Sequence, residues 1–391
     1  MTDWLSAHGG VHGQVAEGFE PVAQVFVDNF ADRNETGASA CVYVNGERVV
    51  NIWGGAANHK TNEPWREESA IVVFSTTKGA TAICIARLVQ EGKLDYDQTV
   101  ATYWPEFAAA GKQDVTVGQL MSHQAGLIST DPPLSLDEIL QVTPVVEALA
   151  AQAPLWEPGT DHGYHALTYG WLAGELVRRV DGRTIGQYFA EEVAGPLGLD
   201  FWIGLPEDQE WRVARLRGAP RPSGEALDLM RKIASPGTNG GRALTMDGAF
   251  APIDGVDPFN TRPVRASEIP AANGVTNAAS VARMYAATIG TVDGVRLLDE
   301  ATVDKARAEQ VFGPDQSLVL PTRFGYGFML HCDELVLTQD GAFGHCGAGG
   351  SLGFADPATG MAFGYVMNQK GGGIASDPRA VALLQAAQAC I

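Results

Sequence analysis

The sequence predicts a mixed α/β (α+β) fold: an antiparallel sheet flanked by helices and built from both chain ends, with a mainly helical domain inserted between them. Two observations carry this. Runs rich in β-branched and aromatic residues cluster before residue 75 and again after residue 320. Between about 95 and 270, helical periodicity alternates instead with Pro/Gly-rich loops such as APRPSGE and SPGTNGGR. Strands at both ends and helices in the middle read as residues 1–95 with 271–391 for the α/β domain and 96–270 for the insert.

The elements follow in order. Phe19, Val22, Val25, Phe26 and Phe30 recur at helical spacing, which predicts an amphipathic helix over 18–32. In SACVYVNGERVVNIWGG two strand-like runs flank Asn45-Gly46, a strong hairpin signal. A short apolar run at 71–74 leads into Ser75, and 76–91 reads as a mostly buried helix closed by Gly92. Helices are expected at 137–152, 169–181, 184–194 and 225–234, with turns at Asn239-Gly240-Gly241 and Asn273-Gly274. Helices at 278–289 and 300–310 precede the strands GYGFML, ELVLT, SLGFADP and MAFGYVMN, and a helix over 377–389 closes the chain.

The chain has 391 residues, and 27 Lys+Arg against 46 Asp+Glu give a net charge of −19. That length suits two or three domains, or one large core with an insertion. No basic stripe offsets the acidic surplus, which argues against nucleic acid or an anionic membrane as partner. No stretch of eighteen apolar residues predicts a membrane span, and the first twenty residues lack a basic segment followed by an apolar one. Five scattered cysteines without C-x-x-C suggest reduced thiols, so a cytoplasmic location is the expectation.

Ser75-Thr76-Thr77-Lys78 is the first set of residues with chemical content. Serine at the start of a helix and lysine three positions on share one face. The free N–H groups of that helix end sit beside the serine hydroxyl, and a buried lysine loses charge and can accept a proton. Taken alone, S-x-x-K fits a helix N-cap with a solvated lysine equally well. A second element is Pro158-Gly159-Thr160-Asp161-His162-Gly163-Tyr164, a loop that presents Tyr164 ahead of an apolar helix. A tyrosine beside a cationic lysine would have a lowered pKa and could shuttle protons; alone, it reads as a packing aromatic. The third is Gly344-His345-Cys346-Gly347-Ala348-Gly349-Gly350, where glycines let a ligand approach a strand closely. Backbone N–H groups there and at Ser75 could form an oxyanion hole.

Together these elements resemble the serine β-lactamase and penicillin-binding-protein superfamily, closest to its class C-like esterase branch, the family VIII carboxylesterases. The loop Leu120-Met121-Ser122-His123-Gln124-Ala125-Gly126-Leu127 adds to the match, which covers most of the chain. The resemblance implies a β-lactamase-like fold and an acyl-enzyme formed on Ser75. It implies Lys78 as general base, Tyr164 as proton relay, and an oxyanion hole from the backbone N–H groups of Ser75 and Ala348. His345, Gly347 and Gly349 are then expected along the substrate cleft. No cofactor or metal is implied, and the partner would be a small-molecule ester, in a chain free to form homo-oligomers.

Two departures narrow the substrate. The family's Tyr-x-Asn is Tyr164-His165-Ala166 here, and its Lys-Thr-Gly is His345-Cys346-Gly347. Both losses weaken recognition of carboxylated amides, the second by removing a permanent cation. The expectation is therefore a serine carboxylesterase for short-chain or bulky neutral esters. The alternatives are a β-lactamase or D-Ala-D-Ala peptidase, a transesterase, or a non-catalytic binding relative. Gly349-Gly350-Ser351-Leu352-Gly353 fits G-x-S-x-G, but no histidine follows His345, so Ser351 reads as structural. Tyr43-Val44-Asn45 sits on the early hairpin and reads as structural too. His123 is expected to serve its loop. Trp156, Trp171 and Trp202 read as core. His162 and His165 have no third ligand in register, which argues against a metal site.

Overall fold

The computed structural model describes residues 10–252, 254–373 and 376–391. Its main sheet has ten strands among the described residues, and every neighbouring pair is antiparallel. The order runs Val11–Val15, Glu47–Asn58, Gly37–Val44, Met361–Met367, Leu352–Asp356, Phe343–Cys346, Met329–Leu330, Pro321–Phe324, Val311–Pro314, with Glu63–Pro64 pairing off the second strand. The first and last thirds of the chain thus meet where Gly37–Val44 pairs with Met361–Met367.

The hairpin forms where its turn chemistry requires. Asn45 and Gly46 both have positive φ, 50° and 83°, as the twist-matched two-residue turn needs. Along Gly37–Val44, Ala38, Ala40 and Val42 enter one core while Cys41 and Tyr43 enter the other. Both faces are covered, so the strand reads as a continuous apolar run. Helices Glu20–Asp32 and Pro378–Gln388 pack on one face through Val22, Phe26, Leu383 and Leu384. Helix Ala278–Ile289 lies on the other, capped by the Asn277 side chain, which accepts from Ser280 N–H at 2.8 Å. Its approach depends on Gly364, where a Cβ would stand 2.3 Å from the Ala278 carbonyl oxygen.

Several expectations are corrected. The 137–152 helix is two, Leu136–Ile139 and Thr143–Ala151, broken at Val142 (φ 66°) ahead of Pro144. ELVLT is not a strand, and only Met329–Leu330 of GYGFML is one. Asn239-Gly240-Gly241 opens a helix, Asn239–Thr245, whose first turn is capped by the Thr238 hydroxyl accepting from Gly241 N–H. The strands Val11–Val15 and Val311–Pro314 at the two edges, and Pro321–Phe324 next to the second edge, have no counterpart in the expected set. Among the described residues no helix is long and apolar enough to cross a membrane.

Candidate active site

A small second sheet sets the site. Ile71–Val72 pairs with Val275–Thr276, which also pairs with Phe201–Trp202. Val73 N–H donates to the Gly274 carbonyl at 2.9 Å, and then the chain turns sharply. Phe74 sits at φ 46°, a left-handed conformation costly for a bulky side chain. Its ring is held edge-on against Phe259, centroids 4.9 Å apart, and its carbonyl accepts from the Thr77 hydroxyl at 2.6 Å. This turn places Ser75 at the mouth of helix Thr77–Gln90, which is buried on nearly all sides.

Lys78 is fully buried on that helix. Its Nζ lies 3.1 Å from Ser75 Oγ, 2.6 Å from the Ala166 carbonyl oxygen and 3.0 Å from the Ala271 carbonyl oxygen. Among the described residues no carboxylate bonds to it, and burial pushes its pKa well below the ordinary lysine range. A neutral amine has two N–H groups and one lone pair. The two carbonyls can only accept, so they take the N–H groups and the lone pair faces the Ser75 hydroxyl. Asn273 fixes the loop carrying Ala271: its amide donates to Val264 O at 2.8 Å and accepts from Ile269 N–H at 3.0 Å.

Tyr164 closes the group. Its side chain and Ser75 line the same cleft. The Lys78 Nζ stands 4.7 Å from its ring centroid, and Phe324 stacks on it at 6.0 Å. Burial raises the Tyr164 pKa well above the ordinary value, reversing the lowered value expected from the sequence. The reason is desolvation: a buried phenolate would lose its hydration, and nearby Asp315 adds to the rise. The backbone of Tyr164 is tied down by buried Asp315, whose two oxygens both lie 3.0 Å from Tyr164 N and which also accepts from Ser317 and Leu318 N–H.

Ser75, Tyr164, Ala348 and Gly349 line one cleft of about 250 Å³. Its remaining walls include Pro220, Met230, Leu244, Leu318 and Met329, so it is largely apolar. Among the described residues, neither Ser75 nor Ala348 N–H donates to a backbone or side-chain acceptor. Two other expected cleft residues lie elsewhere. His345 is fully buried, with Nδ1 2.7 Å from the Cys346 carbonyl oxygen and its ring 6.0 Å from that of Tyr164, while the next residue along Phe343–Cys346, Cys346, lines the cleft. Gly347 packs against the turn: a Cβ there would stand 2.1 Å from Val73 O and 2.2 Å from Ser351 Oγ. Burial holds His345 neutral, with a pKa down to about 3, and His165 likewise at about 4.

The residues set aside from the sequence have structural work. Ser351 is buried, donates to Val73 O at 2.8 Å and meets the Thr76 hydroxyl at 3.0 Å, so it rivets the turn to the sheet. His123 accepts from His165 N–H at 3.1 Å through Nδ1. Tyr43 is buried on its strand, Trp171 is core, and none of the three tryptophans lines the Ser75 cleft. Among the described residues no His/Cys/Asp/Glu group is arranged to hold a metal ion.

Sequence reasoning missed the buried cluster beneath Gly349. Arg379 bonds the Gly349 carbonyl at 3.0 Å, Asp377 at 2.8 Å and Glu35 at 3.2 Å, and Tyr365 O–H donates to Glu35. These residues come from opposite chain ends, and no short motif links them. Burial raises the Glu35 pKa to about 7, against the smaller lowering effect of Arg379. The folded protein therefore holds a proton that the unfolded chain sheds above the ordinary carboxylate range, and this stability is lost as pH rises through about 7. The melting temperature of Glu35→Gln should gain on wild type between pH 5 and 8. A difference that stays constant, or shifts in favour of wild type, over that range would show that Arg379 keeps Glu35 ionised.

The strand-to-helix serine, its neutral amine and the apolar cleft define the class first: the protein is a serine hydrolase. The chain belongs to the beta-lactamase family, whose model (described as Beta-lactamase) matches residues 22–387. It is 38% identical over 378 residues to the esterase/beta-lactamase LipL of Mycobacterium tuberculosis (strain ATCC 25618 / H37Rv), covering 93% of this chain and 86% of that protein. Among solved structures, a family VIII carboxylesterase superposes with a TM-score of 0.88 at 39% identity, covering 97% of this chain and all (100%) of the other. A penicillin-binding protein homolog from Caulobacter crescentus gives 0.87 at 41%, with coverage of 97% and 100%.

Proposed function

We propose that this protein hydrolyses small neutral carboxylic esters through an acyl-enzyme on Ser75, with Lys78 as general base and Tyr164 as proton relay. The observation that carries the reading is the buried Lys78 amine, 3.1 Å from Ser75 Oγ with its N–H groups committed to two carbonyls. Ser75 Oγ attacks the ester carbonyl while its proton passes to Lys78 Nζ. The developing oxyanion takes the N–H groups of Ser75 and Ala348. The alkoxide leaves with a proton delivered through the Tyr164 hydroxyl, which Lys78 replenishes. Water then attacks the acyl-enzyme by the same route, releasing the acid and restoring Ser75.

Neutral substrates are favoured by the walls. Ala166 offers a backbone carbonyl to Lys78 and no side-chain amide to a substrate, and His345, held neutral by burial, brings no cation where the family's lysine would stand. The test is a paired assay of p-nitrophenyl butyrate and a chromogenic cephalosporin. The ester should be turned over at least about a hundredfold faster per enzyme, a difference of some 2.7 kcal/mol in barrier. Equal or faster opening of the cephalosporin ring would move the protein to the β-lactam hydrolases.

A further inference from the structure

Lys370 is the one charged side chain among the described residues lining the Ser75 cleft. It follows the strand Met361–Met367 and stands beside Gly349, whose added Cβ would meet Lys370 Cβ at 2.8 Å. Its ammonium lies 5.4 Å from the ring centroid of Phe74, the residue before Ser75. A cation so placed would suit a substrate carboxylate. It is already engaged: Lys370 Nζ is 2.5 Å from Asp257 Oδ2.

Asp257 is itself held in place. Its other oxygen accepts from Phe259 N–H at 3.0 Å, capping the turn Pro258–Asn260. The Phe259 ring packs against Phe74 at 4.9 Å and Phe250 at 5.4 Å. Both partners of the ion pair are largely buried, with side-chain exposures of 22% and 21%. The aspartate needs no reordering to keep its hold, since its other oxygen is already fixed on Phe259 N–H.

We propose that Asp257 determines acyl specificity by occupying Lys370, so that a carboxylate in the substrate finds no free cation in the cleft. The structure thereby contains a latent carboxylate subsite, and esters of dicarboxylic acids are the class that releasing Lys370 would admit. This inference rests on the ester-hydrolysis reading and deepens it.

The test compares p-nitrophenyl hydrogen adipate with p-nitrophenyl hexanoate, which match in chain length and differ by the terminal carboxylate. The readout is the ratio of kcat/KM, adipate over hexanoate. Asp257→Asn keeps an acceptor for Phe259 N–H and should raise the ratio about tenfold to a hundredfold, the worth of one hydrogen bond to a charged group. Adding Lys370→Met to it should return the ratio to the wild-type value or below. Lys370→Met alone exposes Asp257 to the substrate and should lower the ratio, which gives a second reading if Asp257→Asn folds poorly by its melting curve. An unchanged ratio in folded Asp257→Asn, or a higher one in Lys370→Met, overturns the proposal. Failure of the parent reading looks different: wild type would leave hexanoate intact, and the specificity proposal would fall with it.

Discussion

Replacing Ser75 with alanine is expected to lower kcat for p-nitrophenyl butyrate by about a millionfold, the scale seen when a covalent nucleophile is removed from a unit whose members act together. The melting temperature should stay close to wild type, because among the described residues the one side-chain hydrogen bond of Ser75 Oγ is to Lys78 Nζ. Ser351→Ala is the necessary partner experiment, since Ser351 sits in the other sequence pattern that can mark a nucleophile. It should behave in the opposite way. Losing its bonds to Val73 and Thr76 leaves buried polar groups unpaired, costing about 1–3 kcal/mol of stability. Turnover should fall by less than about tenfold, because the turn is loosened and the acyl-transfer chemistry is not removed. If Ser351→Ala is inactive while folded and Ser75→Ala still turns over, the nucleophile has been assigned to the wrong serine.

The contrast between these serines shows what a sequence can reveal. Ser75 and Lys78 were legible because the chemistry is local: one helical turn brings them together, and the apolar run at 71–74 announces a buried junction. The hairpin at Asn45-Gly46 and helix Ala278–Ile289 were legible for a similar reason, as turn chemistry and periodicity are short-range. What was not legible depends on distant pairings. Asp315 holds Tyr164 across 151 positions of sequence, and Arg379 joins Glu35 across 344. Lys370 finds Asp257 only because the end of a central strand lies beside the turn Pro258–Asn260. Whether His345 or Cys346 lines the cleft is one step of strand alternation, a choice that adjacent residues do not settle when both faces of the sheet are buried. The strands Val11–Val15, Val311–Pro314 and Pro321–Phe324 lack long β-rich runs, and their pairing is supplied by neighbours.

Replacing Lys78 with methionine is expected to slow acylation by about 10²–10⁴-fold, the range for loss of a general base. Methionine fills a similar volume without a basic nitrogen, so the effect isolates proton transfer from packing. The pH profile provides the sharper evidence. In wild type, kcat/KM should rise along a limb set by Lys78, since only the neutral amine can accept the Ser75 proton. Burial moves that limb well below the ordinary lysine range, so the enzyme is already active where a solvated lysine would be protonated. His165, with its pKa down at about 4, and His345, at about 3, make weak competitors for this role: both are neutral across the working range, and Nδ1 of each faces a carbonyl oxygen at 2.7 Å. In Lys78→Met the limb should vanish, leaving a low rate that climbs only with hydroxide. Deacylation should slow as well, because the incoming water delivers its proton by the same route. A variant that keeps the wild-type limb, or loses less than about tenfold in acylation, would mean that another group takes the serine proton; the Tyr164 hydroxyl, on the same cleft as Ser75, would then be the one to examine.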